Sequence, residues 1–246
     1  MKMIGVIPAR YASSRFPGKP LADIGGKPMI WWVYQSASQV KDLKEVFVAT
    51  DDERIYSECE RLGMKVIMTS DTHPTGTDRV GEVAQKIRAD LYVNVQGDEP
   101  LIAPETICRA IEPFYKDNNI MVTNLMTEVK RQTDLIDSTV PKVVVNANSE
   151  AVYLSRLPVP YPKNTDGLKY YKQVCVYSFT PMALETFCRL SKGPSERAED
   201  IELLRFIENG ITVKMVEVEQ DTVTVDTPSD LKLVRNLLAN GGKKGI

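Results

Sequence analysis

Short apolar runs alternate with amphipathic helical patterns through the first half of the chain, and this alternation most constrains the fold. Strands are predicted at residues 3–7, 46–49, 66–68 and 91–95, and helices at 28–38, 53–62, 78–87 and 104–114. The strand segments are continuously apolar, which is typical of parallel strands buried on both faces. The sequence therefore predicts an α/β fold with helices on both faces of a parallel sheet.

The second half has a different pattern, in which strand-like segments are separated by polar or proline-rich loops. Strands are predicted at 121–126, 142–145, 151–154, 173–179, 213–218 and 222–225, and helices from 182, over 199–208 and from 228. No shift in composition marks a linker between domains. We therefore expect residues 1–246 to form one domain, with an inserted β-rich lobe at roughly residues 120–190.

Composition argues against several classes of protein. The chain has 31 Lys plus Arg and 33 Asp plus Glu, and this balance of −2 argues against a nucleic-acid partner. No apolar run approaches the roughly 20 residues of a membrane span, and the start lacks the long apolar stretch of a signal peptide. The four cysteines form no CxxC pair, so we interpret them as reduced thiols of a cytoplasmic protein.

The single histidine, His73, limits the available chemistry. A Ser-His or Cys-His hydrolase would need this one residue as its base, which makes such a triad improbable. We interpret His73 as a solvated loop residue. Carboxylates, lysines, arginines and backbone amides remain, and these groups bind phosphates and divalent metal ions.

The loop after the first strand carries three cations within ten residues, Arg10, Arg15 and Lys19. In open α/β sheets ligands bind beyond the carboxyl ends of the strands, so this loop is well placed to hold a polyphosphate. The dinucleotide pattern GxGxxG is absent here, and both Gly-Lys pairs of the region precede proline, which excludes a P-loop. A solvated basic turn is the alternative interpretation.

Several motifs in a fixed order extend this local signal to nearly the whole chain. They are IPARYASSRFPGKPL at 7–21, GGKPMI at 25–30, VATDDERI at 48–55, TGTDR at 75–79, NVQGDEPLI at 94–102, YLSRLPVPY at 153–161 and VDTPSDL at 225–231. In these motifs the chain resembles the sugar-acid cytidylyltransferases, and among them the 3-deoxy-manno-octulosonate (Kdo) cytidylyltransferases. Several ordered motifs are far more specific than any single one.

The resemblance implies a fold and an activity. It implies a three-layer α/β/α nucleotide-diphospho-sugar transferase fold, Rossmann-like, whose inserted lobe serves the acceptor and a homodimer interface. The implied enzyme transfers CMP from CTP to the anomeric hydroxyl of a sugar acid, most simply Kdo for lipopolysaccharide or capsule, and releases pyrophosphate with Mg²⁺ as cofactor. Such transfer is catalysed mainly by positioning and by electrostatic stabilisation of the phosphoryl oxygens.

The resemblance also assigns the nucleotide site. Arg10 and Lys19 are expected to bind the phosphates and act in catalysis, with Arg15 as a third cation. The other residues expected to contact the nucleotide are Pro8, Ala9, Thr75, Gly76, Thr77 and Arg79. The alternative for this second segment is that Thr77 or Asp78 caps the following helix.

Two aspartates from distant strands are expected to hold the metal ion. Asp98 follows the strand at 91–95, and Asp226 follows the segment at 222–225. Carboxylate oxygens suit Mg²⁺, which usually keeps several water ligands, and the family uses the matching pair this way. The alternatives are a turn role for Asp98 and a helix-cap role for Asp226.

The acceptor site is assigned by the same resemblance. The expected residues are Gln96, Arg156, Gln173, Tyr177, Glu199 and Glu202. A guanidinium fork at Arg156 suits a carboxylate, and Glu199 and Glu202 would share one face of a helix. A solvated helix flank is the alternative for the two glutamates.

The chain departs from the family pattern at two acceptor-side positions. Gln173 stands where the family usually has histidine, and Leu203 stands where it usually has glutamine. The loss of a hydrogen-bonding group at position 203 would cost roughly 1–3 kcal/mol, enough to change acceptor selectivity. An 8-amino variant of Kdo, a nonulosonic acid or a phosphonate is therefore an alternative acceptor. An inactive CTP-binding relative is a further alternative.

Overall fold

The computed structural model of the chain describes residues 1–12, 16–220 and 223–239. The strands are β1 Met3–Ala9, β2 Asp23–Ile24, β3 Lys27–Pro28, β4 Leu43–Thr50, β5 Val66–Met68, β6 Leu91–Val95, β7 Val122–Glu128, β8 Lys142–Val145, β9 Ala151–Ser155, β10 Tyr171–Phe179 and β11 Lys214–Glu217. The helices are α1 Met29–Ser38, α2 Glu53–Arg61, α3 Gly76–Lys86, α4 Pro104–Arg109, α5 Gln132–Ile136, α6 Pro181–Arg189, α7 Pro194–Glu199, α8 Leu204–Glu208 and α9 Pro228–Ala239. Two 3-10 turns cover Lys19–Leu21 and Glu112–Tyr115.

One mixed sheet forms the centre of the molecule, with the strand order β11-β7-β10-β6-β1-β4-β5. The strands predicted from the first half, β1, β4, β5 and β6, pair in parallel. β10 runs antiparallel to both β6 and β7, while β11 is parallel to β7. The predicted α/β class is confirmed, and the antiparallel strands make the sheet mixed.

Helices cover both faces of the sheet, because its inner strands carry apolar residues on both sides. On one face Ile30 of α1 and Ile55 of α2 pack with Val93 of β6. On the other face Val80 of α3 and Phe187 of α6 belong to a second cluster. The three-layer arrangement leaves the carboxyl ends of β1 and β6 open at one edge, where a ligand can approach.

The segment between β7 and β10, residues 129–170, is here called the lobe; it carries α5, β8 and β9. β8 pairs with β9 and with the start of β10, off the main path of the sheet. The inserted lobe predicted at roughly residues 120–190 covers more residues than the lobe of the structure. β7 and β10 lie within the central sheet, and α6 packs against α3. The segment off the main path of the sheet is therefore about three fifths of the predicted length.

Several predicted elements differ from the structure. The helix predicted over residues 104–114 ends at Arg109, and a 3-10 turn follows at Glu112–Tyr115. The helix predicted over residues 199–208 is broken into α7 and α8, because Asp200 adopts a left-handed conformation with φ +50°. The strand predicted at 222–225 is absent from residues 223–225; Thr222 lies outside the described residues. Val225 instead donates its backbone N–H to the carbonyl of Asp98, at 2.8 Å. This bond draws a distant part of the chain to the end of β6.

The helices of the described residues are short. α9 has 12 residues, and α3 has 11. No helix in residues 1–12, 16–220 or 223–239 has the length and apolar character that a membrane span requires.

Candidate active site

Two adjoining clefts open at the carboxyl ends of β1 and β6. The strand-end cleft, of about 460 Å³, is lined by Pro8, Ala9, Arg10, Ala12, Lys19, Pro20, Met29, Gly76, Arg79, Gln96, Gly97, Asp98, Asp200 and Asp226. The lobe cleft, of about 700 Å³, extends toward the lobe, and its walls include Arg131, Arg156, Gln173, Tyr177 and Glu202. Both clefts are lined by Arg10, Gly76, Asp98, Asp200 and Asp226. Groups bound in the two clefts would therefore meet beside these five residues.

A lysine and two aspartates form the centre of this junction. The Lys19 Nζ donates to Asp98 Oδ2 at 2.9 Å and to Asp226 Oδ1 at 3.4 Å. The three side chains are between 16% and 22% exposed, so water screens their charges only in part. Burial lowers the pKa of the Lys19 ammonium, but Asp98 and then Asp226 raise that pKa by more, and it lies above its ordinary value. Lys19 is therefore a permanent cation.

Local backbone structure holds each member of the cluster in place. Lys19 begins a 3-10 turn after Gly18, whose φ of +72° is strained for any other residue. The Gly18 N–H donates to the carbonyl of Tyr11 and closes the loop. Asp226 precedes α9, and its N–H donates to the Asp230 carboxylate at 3.1 Å. The predicted meeting of Asp98 and Asp226 is thus produced by the bond from Val225 to Asp98.

The chemistry of this cluster fits a hard divalent cation. The Oδ1 atom of Asp98 is buried and accepts no hydrogen bond from the described residues. An unsatisfied buried carboxylate oxygen is costly unless a further donor or a cation binds it. The described residues hold no group of three or more His, Cys, Asp or Glu that could bind a metal ion alone. Two carboxylates therefore suit Mg²⁺ that takes its other oxygen ligands from water and a bound phosphate.

The strand-end cleft holds most of the residues predicted to contact a nucleotide: Pro8, Ala9, Arg10, Lys19, Gly76 and Arg79. Gly76 allows close approach of backbone here, since an added Cβ would lie 3.3 Å from Gln96 Nε2 and 3.4 Å from Pro8 Cγ. Arg10 is exposed at the junction of the clefts. Arg15 lies outside the described residues.

Thr75, rather than Thr77 or Asp78, caps α3. Its Oγ1 accepts the Asp78 N–H at 3.1 Å and donates to Asp78 Oδ2 at 2.8 Å. Thr77, also predicted to contact the nucleotide, is only 1% exposed and lines neither cleft. Its backbone N–H donates to Glu202 Oε2 at 3.1 Å, because the carboxylate satisfies a free donor of the first helical turn.

Arg79 reaches the strand-end cleft from within the protein. It is 2% exposed, and its guanidinium lies 3.3 Å from Asp51 Oδ2 and donates to Thr69 Oγ1. Burial lowers the pKa of this guanidinium, and Asp51 opposes the shift. These contacts fix Arg79 as part of the wall of the cleft.

Arg156, predicted to bind the acceptor, lines the lobe cleft, although much of its guanidinium is already used. Its Nε donates to the carbonyl of Glu199, its Nη1 to that of Ser138 at 2.8 Å, and its Nη2 to that of Asp200 at 3.0 Å. Arg156 therefore ties the lobe to the segment between α7 and α8. Two of its five N–H groups remain for a ligand.

Two predicted acceptor residues lie elsewhere. Glu199 does not line the lobe cleft, because Ser155 Oγ and the Arg156 N–H donate to its two carboxylate oxygens at 2.9 and 2.8 Å. It does not share a helix face with Glu202, since the chain breaks at Asp200 between them. Gln96 lines the strand-end cleft and not the lobe cleft, because it follows β6 at the open edge.

Tyr177 and Glu202, two of the residues predicted to bind the acceptor, both line the lobe cleft. Burial raises the pKa of Tyr177 well above its ordinary value, and the nearby Cys175 and Glu202 act in the same direction. Burial also raises the pKa of Glu202, while the backbone N–H of Thr77 opposes that rise. The tyrosine is thus a neutral hydroxyl at any physiological pH.

The two departures from the family pattern differ in their surroundings. Gln173 lines the lobe cleft and donates from Nε2 to Asn124 Oδ1 at 3.1 Å. Leu203 is fully buried in the apolar cluster beside α3 and α6. The prediction that Leu203 removes an acceptor contact is therefore wrong, since the turn after Asp200 directs it into the core.

His73 lies outside both clefts. It is not a solvated side chain, however, because its Nε2 contacts Glu82 Oε2. Burial raises the pKa of Glu82, but Lys86, His73 and the Ser70 N–H together lower it to about 2. Glu82 therefore joins α3 to the loop before it through His73 and the Ser70 N–H.

Sequence reasoning missed several residues of the lobe cleft. Lys172 is 6% exposed and donates to Asp134 Oδ2 at 2.7 Å, and Arg131 bonds the same oxygen at 3.0 Å. A lysine directly before the strand predicted at 173–179 was the available signal for this ion pair. Asp200 lines both clefts, yet no turn residue marks its left-handed conformation in the sequence.

Comparison with known proteins identifies the family of this chain. The model of a family described as Cytidylyltransferase matches residues 4–217. The chain belongs to the cytidylyltransferase family. Within it, the chain is 44% identical over 238 residues to a 3-deoxy-manno-octulosonate cytidylyltransferase of Escherichia coli, covering 97% of this chain and 96% of that protein. It is 45% identical over 249 residues to the same-named protein of Geobacter metallireducens, covering 96% and 98%.

A solved cytidylyltransferase structure shows the same fold. It is described as CMP:2-keto-3-deoxy-manno-octonic acid synthetase complexed with CTP, and it superposes with a TM-score of 0.93 at 42% identity. The match covers 98% of this chain and 100% of that one. The predicted family and its α/β fold are therefore confirmed.

Proposed function

We propose that this chain transfers CMP from CTP to the anomeric hydroxyl of Kdo and releases pyrophosphate. One observation carries the proposal: Lys19, Asp98 and Asp226 form a single charged cluster where two clefts of different character meet. One cleft suits a nucleotide and the other a polar acid. Kdo is chosen because relatives that match over nearly their whole length bear its name.

The chain's own residues position the reaction. The acceptor hydroxyl oxygen forms a bond to the α-phosphorus of CTP as the bond from that phosphorus to the β-phosphate breaks. Arg10 and Lys19 supply cations for the phosphoryl oxygens and the leaving pyrophosphate, which gain negative charge in this step. Arg156 binds the carboxylate of the acid with its remaining N–H groups.

Asp98 and Asp226 would hold Mg²⁺, as their oxygen donors and the unsatisfied Asp98 Oδ1 favour. When bound, the cation neutralises phosphate charge and lowers the pKa of a coordinated hydroxyl. Lys19 lies between the same carboxylates in the free protein. It would turn from them to the phosphates when CTP enters.

The proposal includes the oligomeric state and the cellular location of the enzyme. Three apolar side chains of the lobe, Ile136, Leu157 and Tyr161, are at least 70% exposed. Large exposed apolar residues grouped in one segment favour a protein interface, and we assign it to a homodimer. We also assign the enzyme to the cytoplasm, because CTP, the proposed donor, is a cytoplasmic metabolite.

Pyrophosphate release tests the proposal. The wild-type chain with Mg²⁺, Kdo and CTP is expected to release pyrophosphate, and omission of either substrate is expected to abolish release. A panel of other 2-keto sugar acids measures the acceptor preference by kcat/KM. Release that is equal with every acid, or absent with all of them while CTP binds, would contradict the assignment of Kdo.

A further inference from the structure

A bulge in β10 interrupts its pairing with β7 beside the lobe cleft. Val174 pairs with Leu125 of β7, and Tyr177 pairs with Asn124, the residue directly before Leu125. Cys175 and Val176 therefore have no partner on β7. A bulge leaves backbone groups without ladder partners, and buried carbonyls need donors.

The Asn124 side chain supplies those donors. Its Nδ2 donates to the carbonyl of Val174 at 2.9 Å and to that of Val176 at 2.8 Å. Asn124 is fully buried, so both amide hydrogens are used and the amide cannot turn over without leaving two carbonyls unsatisfied. Its Oδ1 therefore has a fixed direction, toward Gln173.

This direction in turn fixes the amide of Gln173. Since Asn124 Oδ1 can only accept, the nearer atom of Gln173 must be its Nε2, which donates at 3.1 Å. The described residues donate no hydrogen bond to the Oε1 of Gln173, and the residue is half-buried. Because Gln173 lines the lobe cleft, that oxygen is available to a ligand there.

We propose that Asn124 is a positioning residue that presents the Gln173 Oε1 to the acceptor as a fixed hydrogen-bond acceptor. The inference rests on the proposed function and deepens it. The cleft recognises a hydroxyl of the sugar acid at this point, and the recognition is independent of pH, since neither amide titrates. A histidine at position 173 would behave differently, because an imidazole that donates to Asn124 can accept with its other nitrogen only while neutral.

Gln173→Leu and Gln173→His test the inference by steady-state kinetics. Loss of one hydrogen bond in Gln173→Leu is expected to raise the KM for the acceptor about 10- to 100-fold, with CTP affinity unchanged by calorimetry. In Gln173→His, the acceptor KM is expected to rise about tenfold between pH 7.5 and 5.5, given an imidazole pKa near 6.5. Wild type, and the matched surface variant Gln39→Leu, should show neither change.

A double-mutant cycle tests the part assigned to Asn124. Asn124→Ser keeps only one donor for the two carbonyls and no longer reaches Gln173. Its acceptor KM should rise, and Asn124→Ser combined with Gln173→Leu should be no worse than Gln173→Leu alone. An acceptor KM within twofold of wild type in Gln173→Leu, or the same pH profile in Gln173→His and wild type, would overturn the inference. If Asn124→Ser does not fold, the kinetics of the two Gln173 variants decide whether the inference holds.

A measurement without catalysis separates this inference from the proposed function. In ¹⁵N NMR spectra of the free protein, the Gln173 side-chain amide, assigned by its loss in Gln173→Leu, should show one hydrogen protected from exchange with water. Rapid exchange of both hydrogens would refute the inference even in an active enzyme. Protection in a protein that releases no pyrophosphate with any acid would support the geometry and refute the function.

Discussion

Lys19 occupies the space between the two carboxylates that would hold the metal ion, which leads to a prediction about metal binding. Replacing Lys19 with methionine keeps most of the side-chain volume and removes the cation. We expect Lys19→Met to lose transferase activity and yet to bind Mn²⁺ more tightly than wild type when no nucleotide is present. A variant that is merely damaged would lose both properties.

The magnitude follows from the two ion pairs. At 2.9 and 3.4 Å each attraction is about 5–6 kcal/mol for an effective dielectric constant of 20. Desolvation offsets most of this, and a hydrogen bond to a charged group contributes about 1.5–3 kcal/mol net. Mn²⁺ must displace this interaction in the wild type. Since 1.4 kcal/mol is a factor of ten, Lys19→Met should bind Mn²⁺ about 10- to 100-fold more tightly.

Electron paramagnetic resonance of free Mn²⁺ measures this affinity directly. Lys169→Met is the matched control, because Lys169 also forms an ion pair, at 2.8 Å from Glu128, but on the exposed surface of the protein. Its Mn²⁺ affinity should equal that of wild type. Asp98→Asn combined with Lys19→Met should lose the gain. Affinity in Lys19→Met that is equal to or weaker than that of wild type would refute the reasoning.

Three further predictions concern the cleft and the stability of the fold. Gly76→Ala adds a Cβ 3.3 Å from its nearest neighbour, so we expect about fivefold weaker CTP binding by calorimetry, for a strain of about 1 kcal/mol, with little change in Tm. Glu82 has a pKa lowered from 4.5 to about 2, so its stabilisation is complete above pH 5 and is lost as the pH falls toward 2. Glu82→Gln should lower the free energy of unfolding, measured with urea, by up to about 3 kcal/mol at pH 7. The difference from wild type should vanish near pH 2. Arg205 donates to both carboxylate oxygens of Glu196, which is 1% exposed, so Arg205→Met leaves a buried charge without its cation. We expect this variant to lower the free energy of unfolding by about 3–5 kcal/mol, and the double variant Arg205→Met with Glu196→Met to recover much of that loss.

Local patterns predicted the elements that depend on local interactions. β5, β6 and β8 have the predicted bounds, since each is a compact apolar run in a buried sheet. The start of α2 was also predictable, because Asp52 accepts the Arg54 N–H as an N-cap does. The predicted meeting of Asp98 and Asp226 followed from the family motifs, and the structure joins the two aspartates through Lys19.

The predictions that failed concern residues whose positions depend on contacts between distant parts of the chain. The left-handed Asp200 breaks a helical pattern that looks continuous in the sequence, and it reverses the expected directions of Glu199 and Leu203. The role of Asn124 depends on a bulge in a strand some 50 residues away, which no local pattern reveals. Tertiary context therefore decided which side chains line the lobe cleft, whereas ordered motifs were enough to single out Lys19, Asp98 and Asp226, which form one cluster.

Identification of the product tests the central claim most directly. The reaction of wild-type protein with CTP, Mg²⁺ and Kdo would be followed by ³¹P NMR, beside Asp98→Ala as control. The account predicts one new phosphodiester resonance and one equivalent of pyrophosphate, both absent with Asp98→Ala. Formation of CDP and phosphate, or of CMP and pyrophosphate without a phosphodiester, would contradict transfer to the sugar acid.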